Sequence, residues 1–137
     1  MSALVIDSSG ALSWCFEDEV SARLDALFEQ VRDQGAVVPG LWHLEVANLL
    51  LQAEKRGRIT TADVTMRMDL IAELPIATDN EATARAWHEI LALARTQGLT
   101  TYDATYLELA IRRGLPLVTR DEALIAAGER TGVAIAE

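Results

Sequence analysis

Short apolar runs recur along the chain, each too brief for a helix: ALVI (residues 3–6), AVV (36–38), PIA (75–77), PLV (116–118) and VAIA (133–136). Helical patterns separate them. SARLDALFEQVRDQ puts Leu24, Leu27, Phe28 and Val31 on one face, with Gly35 as the stop. LWHLEVANLLLQAEKRG predicts a long helix ending at Gly57, and Thr60, Thr61 and Asp63 begin another that ends near Leu74 and Pro75. EATARAWHEILALARTQG stops at Gly98, TTYDATYLELAIRRG at Gly114, and DEALIAAGERTG supplies a last short helix. Brief apolar strands alternating with helices predict an α/β fold, with a central, mainly parallel sheet flanked by helices on both faces. The chain of 137 residues suffices for one core, and half its residues are hydrophobic. We therefore expect one packed domain over residues 1–137.

In such sheets ligands gather beyond the carboxyl ends of the strands. Asp7 follows ALVI, and Asp121 follows PLVTR. Asp103 lies in the first turn of its helix, with Leu107, Ala110 and Ile111 four, seven and eight positions on, so it shares the inward face. Glu45 shares a face with Leu41 and Leu49. Each acid also has a purely structural reading. Asp7 or Ser8 caps a helix beginning near Ser9, Asp121 caps the helix through Ala123–Ala127, and Thr100 and Asp103 have the spacing of a capping box. Glu45 pairs with an arginine or escapes to the edge of its face.

Four converging carboxylates would raise one another's pKa, and a divalent cation removes that conflict. Mg²⁺ or Mn²⁺ takes oxygen ligands and keeps waters. A single cysteine, Cys15, and two histidines cannot build a structural zinc site. His43 and His88 read as surface or packing residues. An oxygen-only site that retains water suits phosphate chemistry. Other phosphate-handling classes lack their marks. An aspartyl phosphatase wants a second acid two positions after the first, where Ser9 stands. A phospho-accepting receiver wants a lysine near its last strand, but the single lysine is Lys55. No GxGxxG follows the first strand.

The stretches VIDSS, HLEVANLL, TYDATYLELA and PLVTRDEAL together resemble the PIN-domain ribonucleases, most closely the VapC-type toxins of bacterial toxin–antitoxin pairs. They span nearly the whole chain in family order. The resemblance implies a PIN-like α/β/α sandwich and Mg²⁺- or Mn²⁺-dependent cleavage of single-stranded RNA by an activated water. By position, Asp7, Glu45, Asp103 and Asp121 would be the catalytic, metal-binding acids. Thr119 would support the last acid, and Ser8 would donate to the first. A cognate VapB-type antitoxin and a homodimer are the implied partners. The rival from another class is a non-catalytic scaffold of the same fold that acts through protein binding alone.

Substrate grip is ambiguous in the sequence. The formal charge of −9 argues against long-range attraction to a duplex. Lys55, Arg56 and Arg58 in EKRGR, like Arg112 and Arg113, either complement a helix dipole or touch RNA. Arg120 reaches a phosphate or neutralises the acids. Trp14, Trp42 and Trp87 pack or stack bases, and Asp18 is read as a solvated charge. The start lacks the features of a signal peptide, Cys15 has no partner for an intrachain disulfide, and no apolar run spans a bilayer. The expected compartment is the cytoplasm, without membrane contact.

Overall fold

The structure, a computed structural model, describes residues 2–13 and 22–136. Trp14, Cys15, Asp18 and the side chain of Leu24 lie outside the described residues. The elements in chain order are β1 (Leu4–Ile6), α1 (Ser8–Leu12), α2 (Ala22–Gln34), β2 (Ala36–Pro39), α3 (Leu41–Lys55), α4 (Thr61–Ala72), β3 (Ile76–Asp79) and α5 (Ala82–Arg85). A π-helical turn (Ala86–Ile90), α6 (Leu91–Gln97), α7 (Thr101–Arg113), β4 (Leu117–Val118) and α8 (Glu122–Thr131) complete the chain.

The sheet is wholly parallel, in the order β3-β2-β1-β4. Every residue of β1, and Ala36, Val37 and Val38 of β2, is fully buried. These strands therefore read as unbroken apolar runs, as expected where helices cover both faces. The fifth run, VAIA, does not become a strand. It contributes one bridge, Ile135 beside Leu117, because Val133 is still bonded back to Gly128 at the end of α8. The helix expected over residues 81–98 forms in pieces, and the π-helical turn interrupts its register. Gly98 and Gly114 end their helices in the left-handed region, at φ +66° and +64°, as their positions predict.

Helix α7 is the central one. Residues Ala104 to Ala110 are all buried, so it is enclosed on every side rather than along one stripe. It packs across β1, β2 and β4. On α3 the buried stripe is Trp42, Val46, Leu50 and Ala53. Leu41, Glu45 and Leu49 thus flank the core, and Glu45 is half-buried rather than enclosed.

The β1–α1 turn is tight against β4. A Cβ on Gly10 would lie 3.0 Å from the Val118 carbonyl and 3.1 Å from the side chains of Ile6 and Val118. These neighbours are buried on β1 and β4, and the nearest is a backbone carbonyl, so they cannot yield freely. Gly10→Ala is expected to destabilise the protein by about 1–3 kcal/mol through overpacking. A urea midpoint equal to the parent's would contradict this.

Candidate active site

Strand order fixes the place of the site. From β1 the chain moves outward to β2 and β3, then crosses back to place β4 on the other side of β1. The crevice at the carboxyl ends of β1 and β4 is therefore the switch point where open parallel sheets bind ligands. Asp7 leaves β1 there, and Thr119 and Asp121 leave β4.

Asp7 takes the capping part expected of it. As the cap of α1, its Oδ1 accepts from the Gly10 N–H at 2.7 Å, and also from the Ser9 hydroxyl at 2.8 Å. Its Oδ2 accepts from the Thr119 hydroxyl. Thr119 in turn accepts from the Asp121 N–H at 3.0 Å, while Ser9 accepts from the Arg120 N–H at 3.0 Å. Two hydroxyls thus stitch the strand ends together. Asp121 caps α8, its Oδ1 accepting from the Leu124 N–H at 2.9 Å.

Ser8 departs from expectation. Ser9 is the donor to Asp7, whereas the Ser8 hydroxyl interacts with Glu45 and Tyr106. The reason is helical: residues 8 and 9 project about 100° apart, and the cap geometry turns residue 9 back toward Asp7. Glu45 also accepts from the Tyr106 hydroxyl, whose ring is fully buried in α7. Tyr106 was hidden by its apolar surroundings. Its position, three residues past Asp103 on a core helix, gave the available signal.

The spacing T-x-x-D occurs twice, with opposite outcomes. At Thr60–Asp63 a full capping box forms, and the Asp63 carboxylate accepts from the Thr60 N–H at 3.0 Å. At Thr100–Asp103 only half forms: Thr100 accepts from the Asp103 N–H at 3.1 Å. Among the described residues nothing donates to the Asp103 carboxylate. Asp63 is accordingly held below its ordinary pKa by the Thr60 backbone and hydroxyl. Asp103 is pushed up to about 6, by burial first and then by the charges of Asp121, Asp7 and Glu45. Burial also raises Asp7 and Glu45, and Asp121 adds to the rise at Asp7.

Four acids from four elements therefore share one electrostatic field. Among the described residues, no three of them stand close enough to grip one ion directly. Like charges hold apart, and Tyr106, Ser9 and Thr119 pin two of the carboxylates. The donor set still fits a hard cation, because it is all oxygen and such ions take one or two carboxylates directly and retain waters. His43 and His88 are exposed, as expected of surface residues.

A second charged cluster was not foreseen. Arg112 forks onto Asp79 at 2.9 and 3.1 Å, reaches Glu108 at 2.9 Å, and touches Glu81 at 3.1 Å. Arg113 adds a 2.8 Å contact to Asp79. Asp79 is 2% exposed and Glu108 is 9% exposed at their side chains. Arg112 and Arg113 are thus engaged in structural ion pairing. The EKRGR cations sit ten or more residues beyond Glu45, roughly 15 Å along α3 at 1.5 Å per residue. Trp42 is buried and Trp87 is exposed.

The fold and site define a class: a parallel α/β sandwich with carboxylates gathered at its switch point. The chain belongs to the PIN-domain family, whose model matches residues 4–129. It is similar to a protein named ribonuclease VapC3 from Pyrobaculum aerophilum, with 28% identity over 121 residues, covering 88% of this chain and 91% of that one. The crystal structure of PAE2754 from Pyrobaculum aerophilum matches with a TM-score of 0.70 at 25% identity, over 92% of this chain and 79% of that one. FitAcB from Neisseria gonorrhoeae shares the fold, with a TM-score of 0.67 at 14% identity over 98% and 96% of the two chains.

Proposed function

We propose that this protein is a divalent-cation-dependent endoribonuclease that cuts single-stranded RNA, acts as a VapC-type toxin, and is neutralised by a cognate antitoxin. The supporting observation is the mutual repulsion of Asp7, Glu45, Asp103 and Asp121 at the switch point, with Asp103 raised to about 6. Uncompensated acids of this kind are unfavourable for folding alone and mark sites of function. The likeness to ribonuclease VapC3 directs the reading to RNA. The same likeness suggests the antitoxin, and a homodimer in the cytoplasm accords with the resemblance.

Asp7, Glu45, Asp103 and Asp121 would hold Mg²⁺ or Mn²⁺. When bound, the ion supplies charge neutralisation at phosphoryl oxygens and a lowered pKa for water. Tyr106 and Ser8 orient Glu45, while Thr119, Ser9 and the Gly10 N–H orient Asp7. Among the described residues nothing donates to Asp103, so its carboxylate is available to orient an attacking water. Attack by water leaves a 5′-phosphate and a 3′-hydroxyl and does not use the 2′-hydroxyl.

The test is cleavage of unstructured RNA with Mn²⁺, with the product ends mapped. We expect 5′-phosphate ends, no cutting in chelator, and at least a 100-fold loss in Asp7→Asn, exceeding the roughly 10–100-fold effect of removing an outer hydrogen-bond partner. Intact RNA, or cutting that survives chelation, would overturn the proposal.

A further inference from the structure

Resting on the nuclease reading, we propose that an open groove beside Glu45, lined by Leu41, Leu44, Asn48 and Tyr102, seats one unstacked nucleobase next to the scissile phosphate. The groove has a volume of about 330 Å³. That is near the lower end for small-ligand clefts, the size class of one planar ring system. Tyr102 and Tyr106 are one helical turn apart on α7. The lower ring is buried against Glu45, and the upper one emerges at the mouth, 64% exposed. Leu44, one turn from Asn48 on α3, is 77% exposed across the same groove. Two large apolar faces standing in water beside a reactive site call for an occupant.

The occupant follows from charge and continuity. Glu45 lines the groove and also belongs to the acid site, so whatever lies there adjoins the reacting phosphate. A chain of net charge −9 does not hold RNA chiefly by phosphate neutralisation. Arg112 and Arg113 are committed to Asp79 and Glu108, and Lys55 and Arg56 lie at the far end of α3. Stacking on an aromatic ring needs no such charge, and it demands a base already free of its neighbours. Among the described residues the Asn48 amide has no hydrogen-bond partner. It offers a donor and an acceptor to a base edge.

The experiment measures KM and kcat on a labelled, unstructured oligoribonucleotide with Mn²⁺. Direct affinity is measured with Ca²⁺ at several salt concentrations. Tyr102→Ala is expected to weaken affinity between about 5- and 150-fold, the range for losing one base–aromatic stack. Tyr102→Phe retains wild-type affinity within about twofold, since stacking needs the ring and not the hydroxyl. The ratio of Tyr102→Ala to wild type stays constant with salt, because no counterion is released by a stack. An abasic nucleotide beside the cut reproduces the loss in wild type and adds nothing further in Tyr102→Ala. Asn48→Ala shifts the preference for the flanking base. Wild-type RNA affinity and KM in Tyr102→Ala would overturn the base seat and leave the groove to a protein partner. An additive abasic effect would also overturn it. A wild-type protein that cuts no RNA defeats the nuclease reading instead, so the two failures are distinct.

Discussion

Asp103→Asn is expected to make the cation-free protein more stable at pH 7 while abolishing RNA cleavage. The folded-state pKa of Asp103, about 6, lies above its ordinary value of 3.8. The folded protein therefore holds this proton more tightly than the unfolded chain does. The stability it brings is complete below about pH 4 and is lost as pH rises through about 6. At pH 7 both states are ionised, and the folded one carries the repulsion of Asp121, Asp7 and Glu45. The shift alone corresponds to at most about 3 kcal/mol. Partial exposure and screening reduce the expected gain to roughly 1–2 kcal/mol. Asparagine keeps the shape, and nothing described donates to the carboxylate it replaces. Thermal melts in chelator at pH 4 and pH 7 decide the matter: the variant gains at pH 7 and nearly coincides with the parent at pH 4. RNA cleavage falls at least about 100-fold, beyond the effect of losing an outer hydrogen bond. A variant melting below the parent at pH 7 would refute the electrostatic account.

The second large effect concerns stability without chemistry. Arg112→Met is expected to cost about 3–5 kcal/mol, the usual penalty for leaving a buried charge without its partner. Asp79 is held well below the ordinary carboxylate range, first by its hydrogen bond to Arg112. Its contribution is present above the unfolded value and lost as pH falls through the depressed one. In the variant, Asp79 keeps Arg113, but Glu108 loses its forked, hydrogen-bonded partner and is left only the longer 3.9 Å contact to Arg85. Replacing Asp79 and Glu108 by leucine in the same background should recover much of the loss, since apolar residues need no counter-charge. Urea midpoints measure both steps. The network includes none of the four site acids, so folded Arg112→Met retains RNA cleavage at low denaturant. A midpoint unchanged from the parent would show the pairs to be energetically idle.

Most of the frame was legible in the residues. The runs 3–6, 36–38, 75–77 and 116–118 became β1, β2, β3 and β4; β1, β2 and β4 are apolar because they are buried, whereas β3 lies at the sheet edge with Ala77 and Thr78 exposed. The run 133–136 has the same composition but lies just beyond α8, and it makes a single bridge, with Ala134 and Ala136 bonded to the Leu117 backbone on either side of Ile135. The four acids were legible as strand-end and helix-start positions. Their outer partners were less so. Ser8 and Ser9 are adjacent and chemically alike, and only the curvature of α1 assigns Ser9 to Asp7 and Ser8 to Glu45. Arg112 looked like a cation at a helix end. Its fork onto Asp79, 33 residues earlier, joins elements that no local pattern connects.

The sequence by itself determined the alternation of strand and helix, and hence the parallel sheet whose strand ends carry Asp7 and Asp121. Local periodicity and burial are properties of neighbouring residues, so they can be read in order. The fate of each T-x-x-D pair was decided only by tertiary structure. Thr60–Asp63 lies at the surface, where the carboxylate folds back on its own helix. Thr100–Asp103 lies where three other acids meet, and there the same carboxylate stays open and half-neutral near pH 6. Repulsion between charges far apart in the chain depends on distance in space, and the fold alone sets that distance.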